Sequence, residues 1–475
     1  MKDILVESFS GIRGIYGQSL TDMVARRYAE VFAKYLIAKH NKKIRIVVGR
    51  DTRKSGKQLN KIFTETFLNC GFTVIDAGVT STPAIEFAMR YYKAQGGIII
   101  TASHNEPEFN GWKLLGPDSA MLNQKEIGKI IELVHSQTKI NLLKRKDVIL
   151  HKGDEIQDLY VNDILKIIGW GAVKKIRQKK YKLVADPNGG PVKKILEKLF
   201  EKLRVELVGV NMQPGVFIRK IEPNAETLKY LIPIITNTQA DFGFGLDGDA
   251  DRMEMILPNG SKYVESHGNM VSGNEMAALG IESVLLNKKP GQKIVINNCT
   301  ANLIYEVAKK YQARVKEVDV GETNVVTKMA ELKSPVGGEG SNGGLIIYPT
   351  KCRDGILSVA AILSLSAHKN QSLPEILGNY PYYFEKRARM RCAAGQDVEL
   401  KNKLIRYFKN KGFKTRRAKG DTGGIKILYN KNNWLFFRAS QTEYGLFRII
   451  ANGNDKKLVD KMIEDGGRIF NKLIK

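Results

Sequence analysis

The sequence predicts an α/β protein with a smaller α+β domain at its C-terminal end. Three observations carry this expectation. Short runs rich in β-branched residues alternate with segments of helical apolar spacing, as where "IRIVVG" (44–49) precedes Leu59, Ile62, Phe63, Thr66 and Phe67. That alternation is the rhythm of a mostly parallel sheet with helices on its faces. The rhythm restarts at "YKLVADPNGGPVKKILEKLF" (181–200) and at "KIVINNCTANLIYEVAKKY" (293–311). The last hundred residues break it and read as strand, helix, strands, helix.

The elements follow in order. "FTVIDAG" (72–78) leads into the helical "TPAIEFAMRYY", and "GGIIITA" ends in a polar loop within "TASHNEPEFNG" (101–111). "QADFGFGLDGDADRMEMIL" (239–257) and "VGGEGSNGGLIIYP" (336–349) each read as strand, loop, strand. These restarts divide the chain into segments 1–148, 149–256, 257–370 and 371–475. No fixed repeat period links them, and no low-complexity segment occurs.

Composition narrows the class. The 475 residues are 43% hydrophobic and 26% charged, as in an ordinary globular protein with material for several cores. No apolar run approaches a membrane span and no signal-peptide pattern opens the chain, so a soluble cytoplasmic protein is expected, as monomer or homodimer. Cys70, Cys299, Cys352 and Cys392 are far apart and form no C-x-x-C pair, which argues against a zinc site or disulfide framework. The formal charge is +27, and residues 371–475 hold 23 Lys/Arg against 10 Asp/Glu. Such a surplus fits an anionic partner, including a phosphorylated small molecule. No zinc-finger or RNP-type signature accompanies it, so nucleic acid is not the expected partner.

The sharpest local signal is "DGDADR" (247–252). In an extended loop, residues i, i+2 and i+4 project to one side, so Asp247, Asp249 and Asp251 crowd three negative charges together. That is costly unless a cation neutralises them, and hard oxygen ligands suit Mg²⁺. An EF-hand also begins D-x-D-x-D, but it needs Gly at its sixth position and Glu at its twelfth. Here Arg252 and Pro258 stand there. Arg252 beside the cluster fits an additional anion such as phosphate. A metal with an open position can hold a phosphoryl oxygen, which directs attention to Ser103: a phosphorylated serine is a phosphoryl donor. "TASHN" is not a G-x-S-x-G elbow, which disfavours a serine hydrolase. "GGEGSNGG" (337–344) sets Glu339, Ser341 and Asn342 among glycines that let backbone approach a ligand. "RASQTEYG" (438–445) offers Arg438, Ser440, Gln441 and Thr442 as a phosphate cradle.

Taken together, these loops resemble those of the α-D-phosphohexomutase family, in the expected order and over essentially the whole chain. "SGIRG" (10–14) is similar to the family's N-terminal arginine loop, "TASHN" to its phosphoserine loop and "DGDADR" to its metal loop. "GEGSNGG" is similar to the sugar-binding loop and "RASQTE" to the phosphate-binding loop. The resemblance implies three related mixed-sheet α/β domains plus a smaller C-terminal α+β domain around a central cleft. It implies Ser103 as the phosphorylated residue, with Asp247, Asp249 and Asp251 as Mg²⁺ ligands completed by the phosphate on Ser103. Arg252 would contact that phosphate, and Arg13, His104 and Lys113 match active-site positions. Glu339 and Ser341 would bind sugar hydroxyls, while Arg438, Ser440, Gln441 and Thr442 would hold the phosphate that is not reacting. The implied activity interconverts hexose 1-phosphate and hexose 6-phosphate through a hexose 1,6-bisphosphate that reorients while shielded from water.

The sequence departs from the family pattern in places. Gly343 stands where many relatives have a histidine, and a phosphoglucosamine-mutase-like branch, "GEGNGG", is closer. Ala439, Gln441 and Tyr444 replace Pro, Gly and Pro of the usual phosphate loop, and a later family arginine corresponds to Arg448 with its spacing shifted by one. The altered loops motivate an alternative, a metal-dependent sugar-phosphate phosphatase on the same scaffold.

Overall fold

The computed structural model describes residues 5–40, 43–136, 147–340, 343–392, 396–417, 423–439 and 446–474. The chain divides into two compact units, one of residues 1–272 with 342–375 and the other of residues 273–341 with 376–475. Among the described residues no helix is long and apolar enough to cross a membrane. All four cysteines are free thiols.

The first unit is built on two mixed sheets. The larger has seven strands in the order Val6–Ser8, Gly11–Ile15, Phe109–Leu115, Gly96–Ile100, Arg45–Arg50, Thr73–Val79, Ile149–His151. Its last four strands are parallel, as the βαβ rhythm predicts, whereas Gly96–Ile100 pairs antiparallel with Phe109–Leu115. The antiparallel part departs from a mostly parallel sheet for a simple reason. Only eight residues, 101–108, separate these two strands, too few for a crossover helix, so the chain must double back.

"GGIII" is buried along its whole length because helices cover both faces of its sheet. Its glycines let those helices close in: a Cβ on Gly96 would meet Leu36 Cδ1 at 2.6 Å, and one on Gly97 would meet Met89 Sδ at 2.7 Å. Helix Thr82–Tyr92 starts where Ser81 accepts from the Ala84 amide and Pro83 occupies the first turn. Along Phe109–Leu115 successive side chains face opposite ways. Trp112 enters the core, edge-on to Tyr28 (ring centroids 5.2 Å apart) and Phe63 (5.1 Å), so Lys113 is presented to the other face.

The second sheet of this unit runs Met270–Val271, Met253–Ile256, Phe242–Leu246, Lys182–Asp186, Glu206–Gly209. Phe242–Leu246 is parallel to Lys182–Asp186 and antiparallel to Met253–Ile256. The loop 247–252 therefore leaves a central strand where the pairing switches from parallel to antiparallel, the same topological position that the loop 101–108 holds in the first sheet.

In the second unit, Lys293–Asn297 lies parallel to Arg314–Val318 and to Val336–Gly338. A five-stranded antiparallel sheet runs Phe384–Arg391, Leu446–Gly453, Trp434–Ala439, Ile425–Leu428, Lys414–Arg417. One face carries Ile427, Leu435, Phe437, Phe447 and Ile449, which form a core with Leu404, Phe408, Val459, Met462 and Phe470 of helices Asp397–Asn410 and Lys456–Ile474. The other face carries Trp434, Phe436 and Ile450, packed with Cys299. The strand–helix–strands–helix order expected of the last hundred residues is the order found.

Candidate functional site

In the first unit, Ser103 lies three residues beyond the buried strand Gly96–Ile100 and is 1% exposed. Its φ is 51°, a left-handed conformation that costs a residue with a side chain about 1 kcal/mol or more. Neighbours hold it there. The Ser103 amide donates to Thr101 Oγ1 at 2.8 Å, and the Ser103 carbonyl accepts from Arg53 Nη2 at 2.9 Å. Arg53 is itself fully buried, bridged to Asp51 and donating to the Asn105 carbonyl. Constrained in this way, Ser103 Oγ donates to Asp247 Oδ2 at 3.1 Å and lies 3.5 Å from His104 Nδ1.

The aspartate loop is equally buried: Asp247, Asp249 and Asp251 are each 1% exposed, and one oxygen from each lies within 4.8 Å of the others. Gly248 allows the two loops to touch. A Cβ there would meet the Ser103 carbonyl oxygen at 2.8 Å and Arg53 Nη1 at 3.1 Å. Lys113 Nζ donates to Asp249 Oδ2 (2.9 Å) and Asp251 Oδ2 (2.8 Å). Thr82 Oγ1 donates to Asp249 Oδ2 at 2.6 Å, and the Arg252 amide to Asp247 Oδ1 at 3.2 Å. Arg353 Nη2 lies 3.4 Å from Asp251 Oδ1 and Arg252 Nε lies 3.7 Å from it.

These charges set the protonation preferences. Burial, then the neighbouring Asp251 and Asp249, push Asp247 well above the usual carboxylate range. Burial would raise Asp251 too, but the Lys113 ammonium and the Arg353 and Arg252 guanidiniums outweigh it and hold that carboxyl well below its ordinary value. Burial, then Arg252 and Arg13, push His104 down to about 2, leaving a neutral imidazole. Arg13, on strand Gly11–Ile15, is lowered to about 10 by burial and the nearby Arg252.

The donor set fits a divalent cation. Three carboxylates converge, and Asp249 Oδ1 is buried without a hydrogen-bond partner. An acceptor in that condition is costly unless a cation or donor meets it. Hard oxygen donors of this kind suit Mg²⁺.

In the second unit, Glu339 follows strand Val336–Gly338 and is 5% exposed. Its Oε1 accepts from Asn297 Nδ2 at 2.8 Å and from the Gly321 amide at 3.0 Å. Thr300 Oγ1 accepts from the Gly340 amide at 3.1 Å. Arg438, near the end of strand Trp434–Ala439, reaches the Val320 carbonyl at 3.4 Å. Burial lowers its pKa, while Cys299 and Glu339 act in the opposite direction as neighbours.

Seven of the residues expected from sequence thus meet in the first unit: Arg13, Ser103, His104, Lys113, Asp247, Asp249 and Asp251, with Arg252 at their edge. Glu339 and Arg438 are neighbours in the second. Ser341, Asn342, Ser440, Gln441 and Thr442 lie outside the described residues. The sequence reading missed Asp51, Arg53, Thr82 and Arg353 in the first unit, and Asn297 and Thr300 in the second. "DTR" (51–53) and "NNCT" (297–300) each follow an apolar strand, a position that could have flagged them.

Comparisons with known proteins identify the family of the chain. The phosphoglucomutase/phosphomannomutase alpha/beta/alpha domain I, II and III families match residues 8–141, 158–260 and 272–383 respectively. The chain is 31% identical over 474 residues to a phosphoglucomutase/phosphomannomutase of Thermococcus kodakarensis, covering 98% of each chain. It is 27% identical over 462 residues to a phosphoglucosamine/phosphogalactosamine mutase of Sulfurisphaera tokodaii, covering 96% of each. Among solved structures, a phosphoglucomutase/phosphomannomutase family protein of Burkholderia thailandensis superposes with a TM-score of 0.80 at 21% identity, covering 99% of this chain and 98% of that one. An N-acetylphosphoglucosamine mutase of Aspergillus fumigatus, solved with GlcNAc-6P and magnesium, superposes with a TM-score of 0.60 at 14% identity, covering 99% and 96%.

Proposed function

Since the chain belongs to the phosphoglucomutase/phosphomannomutase family, we propose that it interconverts hexose 1-phosphates and hexose 6-phosphates by way of a phosphoserine at Ser103 and a hexose 1,6-bisphosphate. The observation that carries this reading is the 3.1 Å contact between Ser103 Oγ and Asp247 Oδ2, at the rim of three converging carboxylates. A hydroxyl that only capped a turn would have no reason to be held, at a left-handed φ, against an acidic triad.

The chemistry is two transfers. A free sugar hydroxyl attacks the phosphorus on Ser103; its O–P bond forms as the P–Oγ bond breaks, and the hydroxyl proton ends on Oγ. The other phosphate of the bisphosphate then returns to Ser103 by the same exchange in reverse. Asp247, Asp249 and Asp251 would hold Mg²⁺, which supplies charge withdrawal from a phosphoryl oxygen when bound. Neutral His104, with Nδ1 3.5 Å from Oγ, helps to orient the serine hydroxyl. Arg252 and Arg13 provide positive charge for the phosphoryl oxygens, and Lys113 keeps the aspartates oriented. Glu339 is assigned to the sugar hydroxyls and Arg438, with Ser440 and Thr442, to the idle phosphate. The buried Glu339 accepts two hydrogen bonds through Oε1, from Asn297 and the Gly321 amide, which fix its carboxylate in place.

Relatives of this chain are named as mutases, and nothing supports the phosphatase alternative. The test is a coupled assay over glucose, mannose, glucosamine and N-acetylglucosamine 1-phosphates, with a trace of the matching bisphosphate. Isomeric product, phosphate on Ser103 by mass spectrometry and loss of turnover in Ser103→Ala are expected. Stoichiometric release of inorganic phosphate without isomer, or full activity in Ser103→Ala, overturns the reading.

A further inference from the structure

The C-terminal sheet carries an arrangement of charge that its fold alone does not call for. Strands Phe384–Arg391, Leu446–Gly453 and Trp434–Ala439 are neighbours, and their register sets Arg389 opposite Arg448 and Arg448 opposite Arg438. Residues directly opposite on antiparallel strands point to the same face, with Cβ atoms about 4.5–5.5 Å apart. Three guanidiniums therefore stand in one row across three strands. Like charges in that position destabilise a sheet, so the row has a cost that a ligand of opposite charge would remove.

The face matters. Alternation along Trp434–Ala439 puts Arg438 on the side of Trp434 and Phe436, the side that packs with Cys299 and away from the helices Asp397–Asn410 and Lys456–Ile474. Arg438 reaches the Val320 carbonyl at 3.4 Å and has Glu339 as an electrostatic neighbour. The row thus begins at the sugar-loop carboxylate and runs outward to the sheet edge.

A neighbouring arginine supplies the contrast. Arg387 lies on the same face, and its Nε and Nη2 donate to Glu385 Oε1 at 2.8 and 2.7 Å. Glu385 is in turn held by Asn274 Nδ2 at 2.9 Å. The chain thus provides Arg387 with a carboxylate two residues away. Arg389 makes no ion pair among the described residues, and the residue opposite it is another arginine.

We propose that Arg389 is a further substrate-contacting residue, extending Arg448 and Arg438 into a three-strand clamp for the non-reacting phosphate of the sugar. A phosphate dianion has oxygens enough for several guanidinium forks, and each fork adds direction as well as charge. This inference rests on the mutase reading above. The competing explanation is that Arg389 only guards an exposed sheet edge, as charged residues on edge strands do.

The two explanations give opposite signs in one experiment on the full chain. Arg389→Gln removes one of three like charges, so the ligand-free protein should unfold at the same temperature as wild type or higher. Its KM for hexose 1-phosphate should rise about tenfold or more, with kcat changed by less than threefold, since the phosphate it holds does not react. The upward shift in unfolding temperature produced by saturating hexose phosphate should shrink, and Arg389→Lys should recover part of the KM. Arg391→Gln, on the same strand but opposite Leu446, should leave KM unchanged. A KM in Arg389→Gln within twofold of wild type overturns the inference, as does a KM rise accompanied by a lower unfolding temperature of the free protein. Wild-type enzyme assayed in parallel separates the failures. Active wild type with an unmoved KM in Arg389→Gln sinks the clamp alone, whereas wild type inert toward every hexose phosphate sinks the mutase reading and the clamp with it.

Discussion

Gly248→Ala tests whether contact between the serine loop and the aspartate loop underlies activity. The added methyl would lie 2.8 Å from the Ser103 carbonyl oxygen, 3.1 Å from Arg53 Nη1 and 3.2 Å from Ile221 Cγ2. Carbon–oxygen contacts normally close to about 3.3 Å, so relief needs a displacement of roughly 0.5 Å. The neighbours cannot yield cheaply. The Ser103 oxygen accepts from Arg53 Nη2 at 2.9 Å, and Arg53 is tied to Asp51 and the Asn105 carbonyl. The two loops must therefore part. Overpacking of this kind costs about 1–3 kcal/mol. The alanine recovers about 0.4–1 kcal/mol by restricting the unfolded chain, which leaves a net loss of about 1–2 kcal/mol. Activity should suffer more. A reacting geometry displaced by about 1 Å loses about 100-fold, so half that displacement predicts roughly tenfold in kcat/KM. The coupled mutase assay and urea unfolding measure both quantities. Wild-type kcat/KM together with a wild-type urea midpoint would refute the reasoning, because the loops could not then be in the contact that the distances describe.

Three other perturbations have signs that follow from the structure. Lys113→Met leaves Asp249 and Asp251 without the ammonium that bridges them, and breaking a buried ion pair costs about 3–5 kcal/mol; urea unfolding in chelator should show that loss, and Mg²⁺ should restore more stability to the variant than to wild type. Asp354, buried and bonded to Tyr160 and the Leu357 amide, is pushed up to about 7 by burial, with Glu86 adding to the rise. Its folded state keeps a proton that the unfolded chain releases, so its contribution is full below about pH 4 and is lost as pH rises through about 7, at up to roughly 1.4 kcal/mol per pH unit. Asp354→Asn, which keeps the cap, should flatten that slope in unfolding measured from pH 5 to 8. Gly128→Ala, in helix Gln124–His135 with nothing within 4 Å of the new methyl, should stabilise by about 0.5–1 kcal/mol in the same urea assay without changing kcat.

The parts of the site legible in the sequence are those whose logic is local. Asp247, Asp249 and Asp251 announce themselves because an i, i+2, i+4 triplet of carboxylates is costly within a few residues of chain, whatever the fold around it. Ser103 is visible because a polar loop directly follows an apolar strand. The βαβ rhythm is visible for the same reason, since helical and extended periodicities are properties of short windows. Strand direction is different: "GGIII" and "FNGWKLL" carry no local mark of whether they pair parallel or antiparallel, so the mixed sheet could be reached only through the family resemblance.

The residues missed are those whose roles depend on long-range closure. Arg53 acts on the Ser103 carbonyl 50 positions away, Thr82 on Asp249 across 167, and Arg353 on Asp251 across 102. Thr82 and Arg353 have no local anomaly, and the one local mark of Arg53 is its place just after an apolar strand. They become conspicuous only when the triad is taken as a problem in charge. Three carboxylates in one buried loop need positive charge and donors from outside that loop, and the fold draws them from three distant segments: Lys113 by strand alternation, Thr82 from a capped helix start, and Arg353 from the residue before the cap of helix Gly355–Lys369. An acidic triplet predicts a cation; its burial predicts this second set of partners as well. On the C-terminal sheet the logic of charge is reversed: a row of in-register guanidiniums, each unremarkable in sequence, calls for an anion.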